Sequence, residues 1–252
     1  MGWLMASGGV LAGAAIGFLG GLLGIGGGLI AIPSLGLLLG MSQQMAQGTA
    51  LILVLPTVLM SLRKYHQQAP IDRGVATAGA LSAVGFTWVG AQLALGLDSG
   101  LVRRSFAVFL LAIAFFYVWQ TFRRVGVRQP PRFAFGRPQA FTLGIIAGTL
   151  GGFFGVGGAI MAVPVMTVVF GLSQTVAQGL ALTMIIPGAI VALITYTVAG
   201  QADWTVGALL AAGSLTCVPM GVRLAYQLPE RNLRLAFAAL LFLTVPLLLY
   251  HP

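Results

Sequence analysis

Charged residues divide this chain of 252 residues into long apolar stretches. No Asp, Glu, Lys or Arg occurs in residues 1–62, and further uncharged stretches cover 74–97, 105–122, 138–202, 204–222 and 235–252. A membrane-spanning helix needs about 20 mainly apolar residues, so the pattern predicts an all-α polytopic integral membrane protein. The composition agrees, because 7% of the residues are charged, against about a quarter in soluble domains.

The second half of the chain repeats the first at an offset of 131 residues, which aligns Gly24 with Gly155. The stretch GLLGIGGG at 21–28 corresponds to GFFGVGGA, and SQQMAQGTA at 42–50 corresponds to SQTVAQGLA. Chance similarity between apolar stretches would not reproduce the polar residues as well. We therefore predict two tandem membrane repeats, residues 1–122 and 139–252, joined by a basic linker loop at 123–138.

Each repeat contains four hydrophobic segments, which in the first repeat lie at about 8–39, 44–62, 74–97 and 103–122. As one helix, the 32 residues of the first segment would be roughly 48 Å long. That is too long for a bilayer core of about 30 Å and too short for two full crossings. Because glycine is a poor helix former, we predict that each first segment breaks at its central glycines. It is then either one broken spanning helix or a hairpin that enters and leaves on one side.

The distribution of Lys and Arg distinguishes these two topologies. A broken spanning helix gives parallel repeats and divides the 13 Lys and Arg residues 8 to 5 between the two sides. A hairpin gives inverted repeats and an 11 to 2 division, in which only Arg103 and Arg104 oppose the others. Cytoplasmic loops carry an excess of Lys and Arg, so we favour inverted repeats with both ends of the chain outside the cytoplasm. The residues on the cytoplasmic side are then Arg63, Lys64, Arg73, Arg123, Arg124, Arg128, Arg132, Arg137, Arg223, Arg231 and Arg234.

The glycines of the first segment divide into two kinds. Gly13, Gly17 and Gly21 are spaced four apart, which is typical of close helix packing. The triplet at 26–28 instead favours an unwound backbone, which at membrane depth requires burial in protein or a water-filled cavity. There the free N–H groups, with the positive end of the following half-helix, can bind an anion without a basic side chain.

Glutamines near the start of the next helix are the second candidate feature. Gln47 and Gln178 lie one turn into apolar helices and must either bridge helices or line a polar cavity. Thr49 offers a hydroxyl, but its counterpart is Leu180, so any site is asymmetric. The predicted substrate-binding residues are Gly24, Gly26, Gly27, Gly28, Gln47, Gly48, Thr49, Gly155, Gly157, Gly158, Gln178 and Gly179.

Other features carry structural expectations. Ser42, Ser173, Asp72 and Asp203 are expected to cap helix N-termini. The single cysteine, Cys217, offers neither a disulfide nor a cysteine metal site. We expect no cofactor, no metal, no hydrolase or protease constellation and no removable signal peptide. Membrane topology accounts for the net charge of +9 better than binding to nucleic acid does.

The doubled motif resembles a known family. GLLGIGGGLIAIPSLGLLLG with AQGTA and ID, repeated as GFFGVGGAIMAVPVMTVVFG with AQGLA and ADW, is similar to the sulfite exporter TauE/SafE family, also called TSUP. The resemblance covers about 13–249 and implies a bacterial or archaeal inner-membrane permease for sulfite, sulfonates or other small organosulfur anions. Pro33 and Pro164 also match the family motif, whereas Ala50, Ala159 and Leu180 depart from it.

The sequence thus favours a secondary transporter that binds a small anion between two broken helices and works by alternating access. Its expected partners are that anion, with or without a coupling ion, and the lipid bilayer. The alternatives are a membrane scaffold or assembly factor that transports nothing, and an anion channel. The identity of the anion, the direction of transport and the oligomeric state do not follow from the sequence.

Overall fold

The computed structural model describes residues 2–68, 73–122 and 135–249. Within these ranges the chain forms ten α-helices and no β-strand, which confirms the predicted all-α class. The first repeat contains α1 (Gly2–Leu23), α2 (Gly28–Leu39), α3 (Gln43–Gln68), α4 (Arg73–Leu95) and α5 (Ser99–Phe122). The second repeat contains α6 (Arg137–Phe154), α7 (Ala159–Val168), α8 (Gln174–Val198), α9 (Trp204–Gln227) and α10 (Glu230–Leu249).

The first hydrophobic segment of each repeat is interrupted at its glycines. Residues 24–27 separate α1 from α2, and residues 155–158 separate α6 from α7. The chain reverses direction at the first break, because a Cβ added to Gly27 would lie 2.7 Å from Cγ2 of Ile16. In a continuous helix these two residues would be about 16 Å apart along the axis. In the second repeat an added Cβ on Gly158 would overlap the carbonyl group of Ala147, so each segment forms a hairpin.

The returning arms of the two hairpins are short. The 12 residues of α2 and the 10 residues of α7 correspond to roughly 18 Å and 15 Å. The bilayer core is roughly 30 Å thick. Each break therefore lies about half that thickness away from the end of its returning arm. Six other helices, α3, α4, α5, α8, α9 and α10, are long and apolar enough to cross a membrane. That number agrees with three crossings in each repeat.

Corresponding helices of the two repeats run antiparallel. The first turns of α3 lie beside the last turns of α8, where the Tyr196 hydroxyl donates to Oε1 of Gln47 at 2.9 Å. Tyr117 late in α5 packs on Phe237 early in α10, with ring centroids 4.6 Å apart. Inverted repeats require antiparallel equivalents, whereas parallel repeats do not. The inverted arrangement of the repeats relative to the membrane stays a prediction.

Glycine stripes join helices from different repeats. Gly13, Gly17 and Gly21 of α1 lie against the backbone of α9, and an added Cβ on Gly17 would lie 2.5 Å from Cα of Ser214. The corresponding glycines of α6 lie against α4 in the same way, and an added Cβ on Gly148 would lie 2.8 Å from Cα of Ala83. These contacts confirm the packing role predicted for Gly13, Gly17 and Gly21, and they interlock the two repeats.

The predicted helix caps have mixed outcomes. The Ser42 hydroxyl accepts a hydrogen bond from the Met45 backbone nitrogen at 3.2 Å, and the Asp203 carboxylate accepts two from the first turn of α9. Both predictions are confirmed. Ser173 occupies the N-cap position of α8 but makes no side-chain capping hydrogen bond, so that prediction is wrong.

Two predictions fall partly or wholly outside the described ranges. Asp72 lies outside the described ranges, and so do residues 123–134 of the predicted linker. The described part of the linker is short, because α6 already begins at Arg137. The helix therefore starts two residues before 139, the predicted start of the second repeat.

Candidate functional site

The two breaks meet inside the protein. All residues of 24–27 and 155–158 are buried, and a Cβ added to Gly28 would lie 3.5 Å from Cα of Val156. The glycine motifs, far apart in the sequence, therefore form one central region.

Glycine is required at most positions of the breaks by the backbone conformation. Gly24, Gly26 and Gly27 have φ values of 67°, 74° and 82°, and Gly155 and Gly157 have φ values of 66° and 62°. Residues with a Cβ rarely adopt this left-handed conformation. The third position of each motif differs, because Gly28 and Ala159 are the first residues of α2 and α7. That is why alanine is tolerated where the second motif departs from the first.

Backbone donors at the breaks are left without partners. The amide nitrogens of Gly26, Gly27, Gly157 and Gly158 donate no hydrogen bond to any described residue. The nearby bonds involve later nitrogens, such as that of Ala162, which donates to the Gly158 carbonyl oxygen at 3.0 Å. The start of each half-helix carries partial positive charge in addition. Because residues 1–62 and 138–202 contain no Lys or Arg, this region offers uncharged donors to a ligand.

Each predicted glutamine packs on the break of the other repeat. Gln178 lies against Gly24, where an added Cβ would be 2.9 Å from the Gln178 Cγ. Its Nε2 donates to the carbonyl oxygen of Leu23, the last residue of α1, at 2.7 Å. Gln178 therefore bridges two helices and satisfies a carbonyl group that the break leaves free.

Gln47 occupies the corresponding place at the second break. An added Cβ on Gly155 would lie 2.6 Å from the Gln47 Cβ, and Gln47 is fully buried. Its Oε1 accepts from the Tyr196 hydroxyl, which also lies 3.1 Å from the Gly152 carbonyl oxygen. Its Nε2 has no hydrogen-bond partner among the described residues. A buried amide donor without a partner is costly.

Tyr196 was not among the predicted site residues. It is fully buried and fixes the orientation of the Gln47 amide through the hydrogen bond to Oε1. Its position near the end of α8 gives no local signal, because a tyrosine near a helix end is typical of a membrane interface. Only the antiparallel packing of α3 and α8 brings it to Gln47.

Three other predicted residues lie next to the glutamines rather than at the breaks. An added Cβ on Gly48 would overlap the Gln201 carbonyl group, so glycine permits a close approach of α3 to the connection between α8 and α9. The Thr49 hydroxyl accepts from the Asp203 backbone nitrogen at 2.9 Å. Gly179 is buried, and its carbonyl oxygen accepts from the Thr183 hydroxyl at 2.9 Å. Their binding roles remain predictions.

The fold and this central region define an integral membrane protein with six long apolar helices and two interrupted hairpins. Residues 9–247 match the family described as sulfite exporter TauE/SafE, and the chain belongs to this family. It is 21% identical to the probable membrane transporter protein YunE of Bacillus subtilis over 263 residues, which cover 96% of each chain. It is 24% identical to the probable membrane transporter protein MJ0441 of Methanocaldococcus jannaschii, over 92% of this chain and 91% of that protein. The protein is a multi-pass membrane transporter of the cytoplasmic membrane.

Proposed function

We propose that this transporter is a secondary carrier, without enzymatic activity, for a small anion such as sulfite, a sulfonate or another organosulfur anion. The observation that carries the proposal is the meeting of two broken helices whose glycine amide nitrogens lack hydrogen-bond partners in the described chain. Half-helix N-termini that face each other near the midplane are the usual anion sites of such carriers. The name of the family supports sulfur oxyanions as the class of substrate.

The ligand groups we propose are the backbone and amide donors around the breaks. Gln47 Nε2 and the N–H groups of Gly157 and Gly158 are the proposed donors at the second break, and the N–H groups of Gly26 and Gly27 are their counterparts at the first. A sulfite or sulfonate group presents three acceptor oxygens, and hydrogen bonds to a charged group contribute roughly 1.5–3 kcal/mol each. Several such bonds can bind an anion without a salt bridge.

Alternating access requires units that move relative to each other. The sequence suggests that the two repeats rock, but α1 packs on α9 and α6 packs on α4, across the repeat boundary. We therefore propose two mixed bundles as the moving units, α1–α3 with α9 and α6–α8 with α4. Their contact between α3 and α8 passes the breaks, so relative motion there would open the site to one side and then to the other.

Flux in proteoliposomes tests the site. Purified protein should move sulfite or a sulfonate, and Gln47→Leu should lower the flux at subsaturating anion at least tenfold, because one donor to the charged group is lost. Gln92→Leu is the matched control, since Gln92 is exposed on α4 and should leave the flux unchanged. Equal flux in folded Gln47→Leu and native protein would contradict the site.

Reporter fusions test the topology. A reporter fused after Pro252 should be active only outside the cytoplasm, and one inserted in the basic linker near Pro130 should be active only inside. This follows from inverted repeats and the 11 to 2 division of the 13 Lys and Arg residues. A cytoplasmic reporter at Pro252 would instead indicate parallel repeats.

A further inference from the structure

The second break adjoins a small cavity. Its volume is about 10 Å³, which is room for one water molecule. Residues from α3, α4, α6 and α8 line it together with Gly157 and Gly158. Gly157 and Gly158, whose amide nitrogens lack partners in the described chain, are therefore among the residues that line an internal space.

The same place beside the first break is filled. Ala189 and Ala147 line the cavity, and their counterparts 131 residues earlier in the alignment are Val58 and Ile16. A Cβ added to Gly26 would lie 2.5 Å from Cγ2 of Val58. An added Cβ on Gly157, the counterpart of Gly26, would meet only Ile185, at 3.2 Å. Larger side chains thus occupy in the first repeat the space that is open in the second.

The threonine hydroxyl groups near the two breaks differ as well. Thr87 lines the cavity and is 4% exposed. A Cβ added to Gly188 would lie 2.6 Å from the Thr87 Oγ1. In the first repeat the position of Gly188 is taken by Thr57, whose hydroxyl is hydrogen-bonded to that of Ser214 at 2.6 Å.

The glutamines at the two breaks also differ in their hydrogen bonds. Gln178 at the first break is hydrogen-bonded to Leu23, whereas the Nε2 of Gln47 at the second break has no partner in the described chain. The second break therefore has a cavity lined by Thr87, Gly157 and Gly158. The amide of Gln47 lies next to this cavity, against Gly155, and none of these groups is charged. At the first break the corresponding side chains satisfy each other or fill the space.

We infer that the two breaks are not equivalent: the second break alone binds the oxyanion, and the first is its packed structural counterpart. The inference rests on the proposed function and assigns Thr87 as a further ligand. In the conformation described here the cavity has room for one water molecule or for one anion oxygen. Admission of the whole anion requires α3, which contributes Leu51 to the cavity lining, to move away from α8, which is the motion proposed between the bundles.

Exchange of the paired residues tests the inference. Ala189→Val gives the second break the side chain of the first, and Val58→Ala gives the first break the side chain of the second. Flux of sulfite and of a sulfonate, and the shift in melting temperature with either anion, are measured for native protein and both variants. Ala189→Val should lower the flux at subsaturating anion at least tenfold and abolish the shift, since it fills the site. Val58→Ala should keep the native flux per folded molecule, although its own melting temperature falls.

Thr87→Val is a second variant that preserves side-chain shape. It should weaken anion binding about tenfold and leave the melting temperature without anion within a few degrees of native. If native protein carries anions but Ala189→Val and Thr87→Val carry them equally well, the cavity is a packing defect only and the inference is overturned. Loss of flux in Val58→Ala alone would overturn it as well. If native protein moves neither anion, the proposed function itself fails, which is a separate result.

Discussion

Gly155→Ala is expected to lower the melting temperature and reduce anion flux at least tenfold. Two physical effects combine at this position. Gly155 has a φ of 66°, where a residue with a Cβ is strained by about 1–2 kcal/mol. The new methyl group would also lie 2.6 Å from the Cβ of Gln47, an overlap that costs about 1–3 kcal/mol and displaces the amide that we propose as a ligand.

A matched glycine separates the two effects. Gly200 has a φ of 70° and nothing within 4 Å of an added Cβ, so Gly200→Ala carries the strain without the overlap. We expect it to lower the melting temperature slightly and to leave the flux per folded molecule at the native value. Thermal unfolding and proteoliposome flux are measured on both variants. Equal flux in the two variants would show that contact between Gly155 and Gln47 has no role in transport.

Gly17→Leu is expected to prevent α1 from packing on α9 and to yield little folded protein. An added Cβ at this position would already lie 2.5 Å from Cα of Ser214, and the atom in contact is backbone, which cannot rotate away. A larger side chain must push the helices apart and remove contacts along the whole interface, because van der Waals packing is a main source of helix association in lipid. The effect should exceed the roughly 1–3 kcal/mol of ordinary overpacking.

Gly8→Leu, on the same helix, is the control for this substitution. Gly8 is exposed and has nothing within 4 Å of an added Cβ, so its leucine should face lipid without cost. Gly148→Leu should reproduce the loss of folded protein, since Gly148 meets α4 as Gly17 meets α9. The measurement is the amount of monodisperse protein after size-exclusion chromatography and its melting temperature. Normal yields for Gly17→Leu would contradict the packing role of the stripe.

Much of the fold could be predicted from local composition. The uncharged stretches indicated the spans because a hydrocarbon core imposes one helix length. The first break could be placed at Gly24 to Gly28, because consecutive glycines in an overlong apolar segment favour an unwound backbone over a continuous helix. In the structure it covers residues 24–27, since Gly28 already begins α2. The glutamines could be singled out because an amide inside a membrane needs a partner. The sequence could not say which partner, since it does not specify which helices become neighbours.

Fewer of the residues around the second break could be predicted from the sequence. Thr49 and Gln47 are close in the sequence, yet the Thr49 hydroxyl accepts from the nitrogen of Asp203, whereas Gln47 lies at the second break. Thr87 and Tyr196, which complete the surroundings of that break, are single residues within apolar helices. Their spacing to the motifs carries no signal. They are found only when α4, α6 and α8 are seen packed around the break.

By itself, the sequence determined that this protein crosses the membrane repeatedly, that it consists of two repeats, and that each repeat has an unwound turn within an apolar segment. These properties depend on the hydrocarbon core of the bilayer and on the conformational preferences of the backbone. Both act on each stretch of the sequence separately. Tertiary structure alone decided that α1 joins α9 and α6 joins α4, that each glutamine meets the opposite break, and that a cavity adjoins the second break. Those properties depend on the contact of surfaces remote in the sequence, where a difference of two methyl groups, as between Val58 and Ala189, changes the space beside a break.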